Sequence, residues 1–260
     1  MEIDRSTRNV FGNISELYDK ARIGYPRQLI EDIIAFSEIK KRGKILDVGC
    51  GTGQATVPFA QKGFTVLGVD LGKELVEIAR QKCAIFPNAQ FMVGSFEDLS
   101  FPPQSFDLII SGMAWHWINP GNREEKAFQL LSTKGTIALF WSYQQKQKSL
   151  FVQAVGKILD RYGGVDRGPA GSKVRQIADS LYEQFNSNKM IKDVRRKEYD
   201  EDLKFTTESY LDLVLSYGWV QALSEYQRSD LICDLQKLFV DCPKLIVVPY
   251  QHVLILAKLA

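Results

Sequence analysis

Residues 44–54 read Lys-Ile-Leu-Asp-Val-Gly-Cys-Gly-Thr-Gly-Gln, a short aliphatic run that breaks into alternating glycines. KILDV at 44–48 is long enough for a buried strand and too short for a typical helix. The glycines after it let a ligand come close to the main chain and open a helix whose first N–H groups face that ligand. Four more runs of the same kind follow: TVLGV at 65–69, AQFMV at 89–93, FDLII at 106–110 and TIALFW at 136–141. Between them, QATVPFAQK, KELVEIARQKC and REEKAFQLL carry apolar residues at helical spacing, as in Leu75, Ile78 and Ala79. This alternation predicts parallel pairing with right-handed crossovers, an α/β fold with a doubly wound, mostly parallel sheet. Gly63 and Gly135 stand where helix C-terminal glycines belong, and Pro58 is expected to kink or shorten its helix.

Outward from this block the pattern changes. Residues 9–39 read as a loop carrying Gly24 and Pro26, then an amphipathic helix with Leu29, Ile30, Ile33 and Ile34 on one face, placed to cover a pocket. Beyond Trp141, residues 149–185 and 206–240 read as mainly helical. They flank a charged alternating strand, KDVRRKEYDEDLKF, and LIVVPYQHVLILAKL is a closing strand candidate. We expect one domain over 1–260, with an N-terminal lid segment at 1–40 and a cofactor-binding core at 44–141. Mainly helical insertions and a strand fill 142–244, and a final strand occupies 245–260.

The 260 residues are 45% hydrophobic and 25% charged, an ordinary soluble-globular balance. With 33 Lys+Arg against 31 Asp+Glu the net charge is +2, and a pI near 8.2 gives no electrostatic case for nucleic acid, whose binders usually exceed about 9. No stretch approaches the roughly 18–20 apolar residues that span a bilayer, and no signal-peptide core follows MEIDRSTRNV, so a cytoplasmic protein is expected. Cys50, Cys83, Cys233 and Cys242 form no C-x-x-C pair and read as free thiols, with no metal site.

The candidate ligand residues cluster at strand ends. Asp47 stands at the mouth of the first strand, where a carboxylate repels a pyrophosphate and attracts the ammonium of an amino-acid ligand. S-adenosylmethionine carries ammonium and sulfonium charges and no phosphate. A nicotinamide-binding turn also uses G-x-G-x-x-G, but here the third glycine comes one residue early, at 53, and Gln54 holds its place. The second strand ends in Asp70, 17 residues beyond Gly53, where an acid can accept both ribose hydroxyls, with Leu71 beside it. The third runs into Gly94-Ser95-Phe96-Glu97-Asp98, and the fourth ends in Ser111-Gly112-Met113. All four segments converge at one sheet edge, the place where open α/β sheets bind ligands. The plainer alternatives are a structural cap for Asp47 and core packing for Met113 and Trp115. His252, in the late apolar strand, reads as structural.

LDVGCGTGQ at 46–54, Val69-Asp70, GSFEDL at 94–99 and SFDLIISGMAWHW at 105–117 resemble the class I S-adenosylmethionine-dependent methyltransferases. The likeness is strongest to the small-molecule branch that includes trans-aconitate methyltransferase-like proteins, which YDKARIGYP at 18–26 and PYQHVLILAK at 249–258 also resemble. The resemblance implies a seven-stranded sheet with an antiparallel last strand and S-adenosylmethionine as cofactor. It implies Asp47, Gly49, Cys50, Gly51, Gly53 and Gln54 at the methionine end, Asp70 and Leu71 at the ribose, and Ser95, Phe96 and Ser111 completing the site. The family more often has Asp where Ser95 stands. Trp115-His116-Trp117 follows the fourth strand, next to where a methyl group would be delivered. His116 is the candidate general base or hydrogen-bond donor, and Trp115 joins it against the substrate. Arg22 and Tyr25 are placed to hold an anionic acceptor, since a guanidinium pairs with carboxylate in a fork. The implied activity is in-line methyl transfer to a small molecule, a carboxylic acid among the candidates. A carboxylate acceptor needs no base, whereas a hydroxyl does. An RNA methyltransferase and a non-catalytic adenosylmethionine-binding regulator stand as alternatives. A Ser111-Gly112-Met113-Ala114 turn in place of N-P-P-Y speaks against exocyclic base amines.

Overall fold

The computed structural model describes residues 14–164 and 172–260. The parts of the N-terminal segment before Ile14, and residues 165–171 of the late helical stretch, lie outside them. Seven strands form one sheet: β1 (Lys44–Val48), β2 (Thr65–Asp70), β3 (Ala89–Val93), β4 (Phe106–Gly112), β5 (Leu131–Gln144), β6 (Ile191–Phe205) and β7 (Ile246–Leu259). Their order is β3-β2-β1-β4-β5-β7-β6. β1 to β5 pair in parallel, and β7 enters antiparallel between β5 and β6. The chain winds outward from β1 through β2 to β3, then returns to β4 on the other side. The carboxyl ends of β1 and β4 therefore flank a crevice at the topological switch point.

Two helical layers cover the sheet. On one face, α2 (Arg27–Ser37) and α3 (Thr56–Gln61) bury Leu29, Ile30, Ile33, Phe59 and Ala60 over Ile45, Leu108, Phe140 and Leu254. On the other, α5 (Arg123–Leu130) and α7 (Ser172–Asn186) bury Phe128, Leu130, Leu181 and Phe185 against Ile137, Leu139 and Trp141. Each fully buried Leu, Ile or Phe contributes about 1.5–3 kcal/mol relative to an exposed one. α4 (Lys73–Lys82) packs Val76 and Ala79 beside Phe91. A third cluster forms a cap in which α6 (Leu150–Arg161), α8 (Thr207–Leu215) and α10 (Glu225–Phe239) enclose Phe205, Val248 and Tyr250. A short α9 (Gly218–Gln221) links α8 to α10.

Two expectations meet corrections. The N-terminal segment is not only a loop before α2: Ser15–Ala21 forms α1, seven residues long. A helix so short is marginal alone in water, so its stability comes from what it docks on. Gly135 is not a helix terminus. α5 runs directly into β5 at Leu131, and Gly135 lies inside β5 next to Lys134, whose φ is 63°. There the strand gains residues relative to β4, with Phe106 opposite Leu131 but Leu108 opposite Thr136. The helix around Pro58 is short, as expected: α3 has six residues, and Pro58 is the third, in the first turn, where main-chain N–H groups have no intrahelical partner. Gly63 closes α3 with a φ of 85°, also as expected. Among the described residues no helix is long and apolar enough to cross a membrane.

Candidate active site

The turn after β1 is held by its neighbours. Gly49, Gly51 and Gly53 take φ values of 72°, 54° and 88°. A Cβ at Gly49 would stand 2.2 Å from the Cβ of Ala114, so the turn and the end of β4 can approach only without a side chain there. The N–H groups of Gly49 and Cys50 both donate to the Val69 carbonyl, at 2.8 and 3.1 Å, tying the turn to the end of β2. The Cys50 thiol is buried, and burial pushes its pKa well above the ordinary value.

Asp47 lies beneath this turn, fully buried. Its Oδ2 accepts the Thr56 hydroxyl proton at 2.6 Å, while Oδ1 has no partner. Burial raises its pKa to about 7; the Thr56 hydrogen bond opposes the rise and the nearby Asp70 charge adds to it. A buried acceptor without a donor costs about 1–3 kcal/mol. An ammonium supplies both the missing donor and the compensating charge, so the residue fits the methionine end of S-adenosylmethionine. Asp70 is fixed by two main-chain donors: Oδ2 accepts from Gly51 N–H at 2.9 Å and Oδ1 from Gly72 N–H at 2.8 Å. A carboxylate presents two acceptor oxygens side by side, the complement of a ribose diol. Leu71 beside it is 37% exposed, an apolar surface next to that carboxylate.

The ends of β3 and β4 are more heavily committed to the protein itself. The Ser95 hydroxyl donates to Asp98 Oδ2 at 2.6 Å and accepts from the Asp98 N–H at 3.0 Å. Phe96 is buried against Trp115, with ring centroids 5.8 Å apart. Ser111 is buried and donates to the Val48 carbonyl at 2.7 Å, bridging β4 to β1. Trp115 is also fully buried, and its indole N–H reaches Glu124 Oε1 at 3.2 Å. It packs in the core, and the half-buried His116 and Trp117 are the members of that cluster with exposed surface.

His116 Nδ1 accepts the Trp141 indole proton at 3.1 Å, which leaves the ring proton on Nε2. Burial, with Arg123 second, pushes its pKa down to about 4. Near neutral pH the ring is therefore neutral with its lone pair engaged. Of the two roles expected for His116, this arrangement favours the hydrogen-bond donor.

The segment between α1 and α2 lies over the carboxyl ends of β4 and β5. Tyr25 packs edge-on against Phe140 at 4.6 Å, and its hydroxyl sits where a Gly112 Cβ would be, 2.3 Å away. Burial drives that hydroxyl far above the usual tyrosine range. The Arg22 guanidinium lies 4.5 Å from the Tyr18 ring and 5.5 Å from that of Tyr217, and donates to the Ser216 carbonyl at 3.4 Å. Its Nε is buried without a partner. One residue of this segment escapes sequence reasoning. Asp19 accepts from Thr52 Oγ1 at 2.5 Å, Gln54 Nε2 at 3.2 Å and Lys82 Nζ at 2.6 Å, docking α1 on the glycine turn. The signal was present in YDKARIGYP, but nothing local says which of its polar residues faces inward.

Residues 45–135 match the profile of the family described as Methyltransferase domain. An uncharacterized methyltransferase of Mycobacterium tuberculosis is 24% identical over 255 residues, covering 96% of each chain. A probable S-adenosylmethionine-dependent methyltransferase of Saccharomyces cerevisiae is 31% identical over 150 residues, 56% of this chain and 50% of that one. Among solved structures, a provisionally assigned type II methyltransferase from Anaeromyxobacter dehalogenans aligns with a TM-score of 0.63 at 20% identity, over 91% of this chain and 97% of that one. That likeness is one of fold. The domain match falls on β1 through the start of β5, the elements that build the Asp47 and Asp70 cradle, and the chain is an S-adenosylmethionine-dependent methyltransferase on the class I Rossmann-like fold.

Proposed function

We propose that the acceptor is a small organic acid, in keeping with the small-molecule branch that the motifs resemble. The observation that carries this reading is Arg22, whose buried Nε has no partner and whose guanidinium lies between α1, the helix that Asp19 docks on the glycine turn, and the α8–α9 turn. A carboxylate completes that arrangement with charge-assisted hydrogen bonds. The cofactor, when bound, supplies a methyl group on a sulfonium, and the protein's part is to align the acceptor and exclude water. Asp19 holds α1 down on the turn, Tyr25 covers the ends of β4 and β5, and His116 offers Nε2–H to the acceptor. The near-neutral charge of +2 weighs for a small acceptor over a nucleic acid.

The test is a panel of small mono-, di- and tricarboxylates assayed by S-adenosylhomocysteine release. We expect saturable turnover, and Arg22→Lys raising the acceptor KM about 10–100-fold, the equivalent of a lost fork of charge-assisted bonds worth about 1.5–3 kcal/mol. The cofactor KM should stay within about twofold of the parent. Transfer confined to bulk RNA overturns the proposal. A rise in the cofactor KM alone reassigns Arg22 to the cofactor's own carboxylate.

A further inference from the structure

His252 is not an isolated core residue. On the adjacent strands β5 and β7, Ser142 and His252 are direct register partners, and Ser142 Oγ lies 2.8 Å from His252 Nδ1. Across the ring, His252 Nε2 lies 3.2 Å from Glu201 Oε2 on β6. Ser142 and His252 are buried, while the Glu201 side chain is 41% exposed. A carboxylate at Nε2 fixes the ring proton there and leaves the Nδ1 lone pair to receive the serine proton. The result is a serine–imidazole–carboxylate chain whose inner end is a hydroxyl and whose outer end meets water.

The inner end lies near the carboxyl end of β5. Ser142 shares a face of β5 with Phe140, the ring that Tyr25 packs against. Its main-chain N–H donates to Met113 Sδ at 3.1 Å, which puts Ser142 beside the turn ending β4. The other titratable groups around the imidazole have their own commitments. The Tyr250 ring stacks 6.4 Å away and its hydroxyl accepts from Gln144. Tyr199, opposite His252 on β6, donates to Asp32 of α2, which also pairs with Lys197. Asp200 is held by Gln145, Lys148 and Gln251. Burial lowers the His252 pKa, and Glu201 and Asp200 pull it back up. His116, by contrast, has its lone pair on Trp141.

We propose that Ser142, His252 and Glu201 form the proton-accepting relay of the methyl transfer, and that the methylated atom of the acid is a hydroxyl oxygen or another nucleophile bearing a proton. This rests on the small-acid reading above and narrows it: the carboxylate at Arg22 is recognised, not methylated. In the step, the acceptor's lone pair forms the new bond to the methyl carbon as the carbon–sulfur bond breaks. The acceptor's proton passes to Ser142 Oγ, the Ser142 proton passes to His252 Nδ1, and the imidazolium is held against Glu201. Ser142 touches the acceptor; His252 and Glu201 are positioning residues acting through it.

The chain has two histidines, so nitrogen-15 NMR of the S-adenosylhomocysteine-bound protein separates both rings. We expect His252 as the Nε2–H tautomer, taking up a proton below the ordinary imidazole range. Glu201→Gln should lower that titration by about one unit and move the acid limb of kcat/KM down with it, which a purely structural glutamate would not do. On matched probes, 4-hydroxybenzoate against benzoate and malate against succinate, turnover should be confined to the hydroxy acids. Ser142→Ala should cut kcat about 10²–10³-fold with S-adenosylhomocysteine affinity unchanged, and Ser142→Thr should restore part of it. An Nδ1–H tautomer, a His252 that never protonates, or full activity in folded Ser142→Ala overturns the relay. Methyl-ester formation at the parental rate by Ser142→Ala overturns it while upholding the small-acid reading. No turnover of any acid by a parent protein whose His252 titrates as expected overturns that reading alone.

Discussion

Replacing Asp47 by Asn separates a ligand-holding carboxylate from a structural cap, because the two roles predict opposite signs for stability. Burial raises the folded pKa from 3.8 to about 7. The group's contribution to stability is therefore complete below about pH 4 and is lost as pH rises toward 7. Roughly three units at about 1.36 kcal/mol each is about 4 kcal/mol lost by pH 8, over half of it between pH 5 and 8. Asn carries no charge and can still accept the Thr56 proton, at the cost of about 1–3 kcal/mol for an NH₂ where Oδ1 now has no partner. The ligand-free variant should thus melt higher than the parent at pH 8 and lower at pH 4. With ligand the order reverses. An ammonium pairs with the ionised form, so binding at pH 6 must drive off nearly one proton, and the variant should bind about 100-fold more weakly. Calorimetric titration with S-adenosylhomocysteine, in buffers of different ionisation enthalpy, measures both quantities. No proton release by the parent, together with undiminished affinity in Asp47→Asn, refutes the pairing and leaves Asp47 a cap for the turn.

Gly49→Ala should cost roughly 2–5 kcal/mol, because its φ of 72° disfavours a side chain and its Cβ would meet that of Ala114 at 2.2 Å; an unchanged melting temperature contradicts this. Asp19→Ala removes the acceptor for Thr52, Gln54 and Lys82 and should free α1. Cofactor dissociation in stopped flow should quicken about 10-fold, with a loss of only about 1–2 kcal/mol of stability. His116→Asn keeps a donor and removes a ring that protonates only near pH 4. Its kcat/KM should stay within about fivefold of the parent with the same pH profile from about pH 6 to 8, and disappearance of an acid limb there would instead make His116 the base.

What is legible in this chain is what is contiguous. KILDV and AQFMV coincide with β1 and β3 residue for residue: β1 is buried from Ile45 to Val48, as a parallel strand covered on both faces requires, while β3 is the sheet's edge and buries only Phe91. The glycine turn is legible for the same reason: its three left-handed residues and Asp47 lie within seven positions. α1 is not, since it buries only Ala21 among its seven residues and exists through Asp19 meeting a turn 33 residues away. Gly135 misleads because a glycine before a strand looks alike whether it ends a helix or opens a bulge, and only pairing with β4 decides.

The sharpest case is Ser142 and His252, 110 residues apart. Periodicity shows that His252 alternates with Val253 in an apolar strand, which is why it reads as structural. Its partners depend on register. Because the side-chain period is two, a slip of one residue between β5 and β7 would turn Ser142 away from the ring, and the same slip against β6 would remove Glu201. That register is set by the apolar face, where Ala138 and Phe140 of β5 and Leu254 and Leu256 of β7 are all fully buried. Packing along that face, not the local sequence around either polar residue, thus brings a serine, an imidazole and a carboxylate together near the carboxyl end of β5.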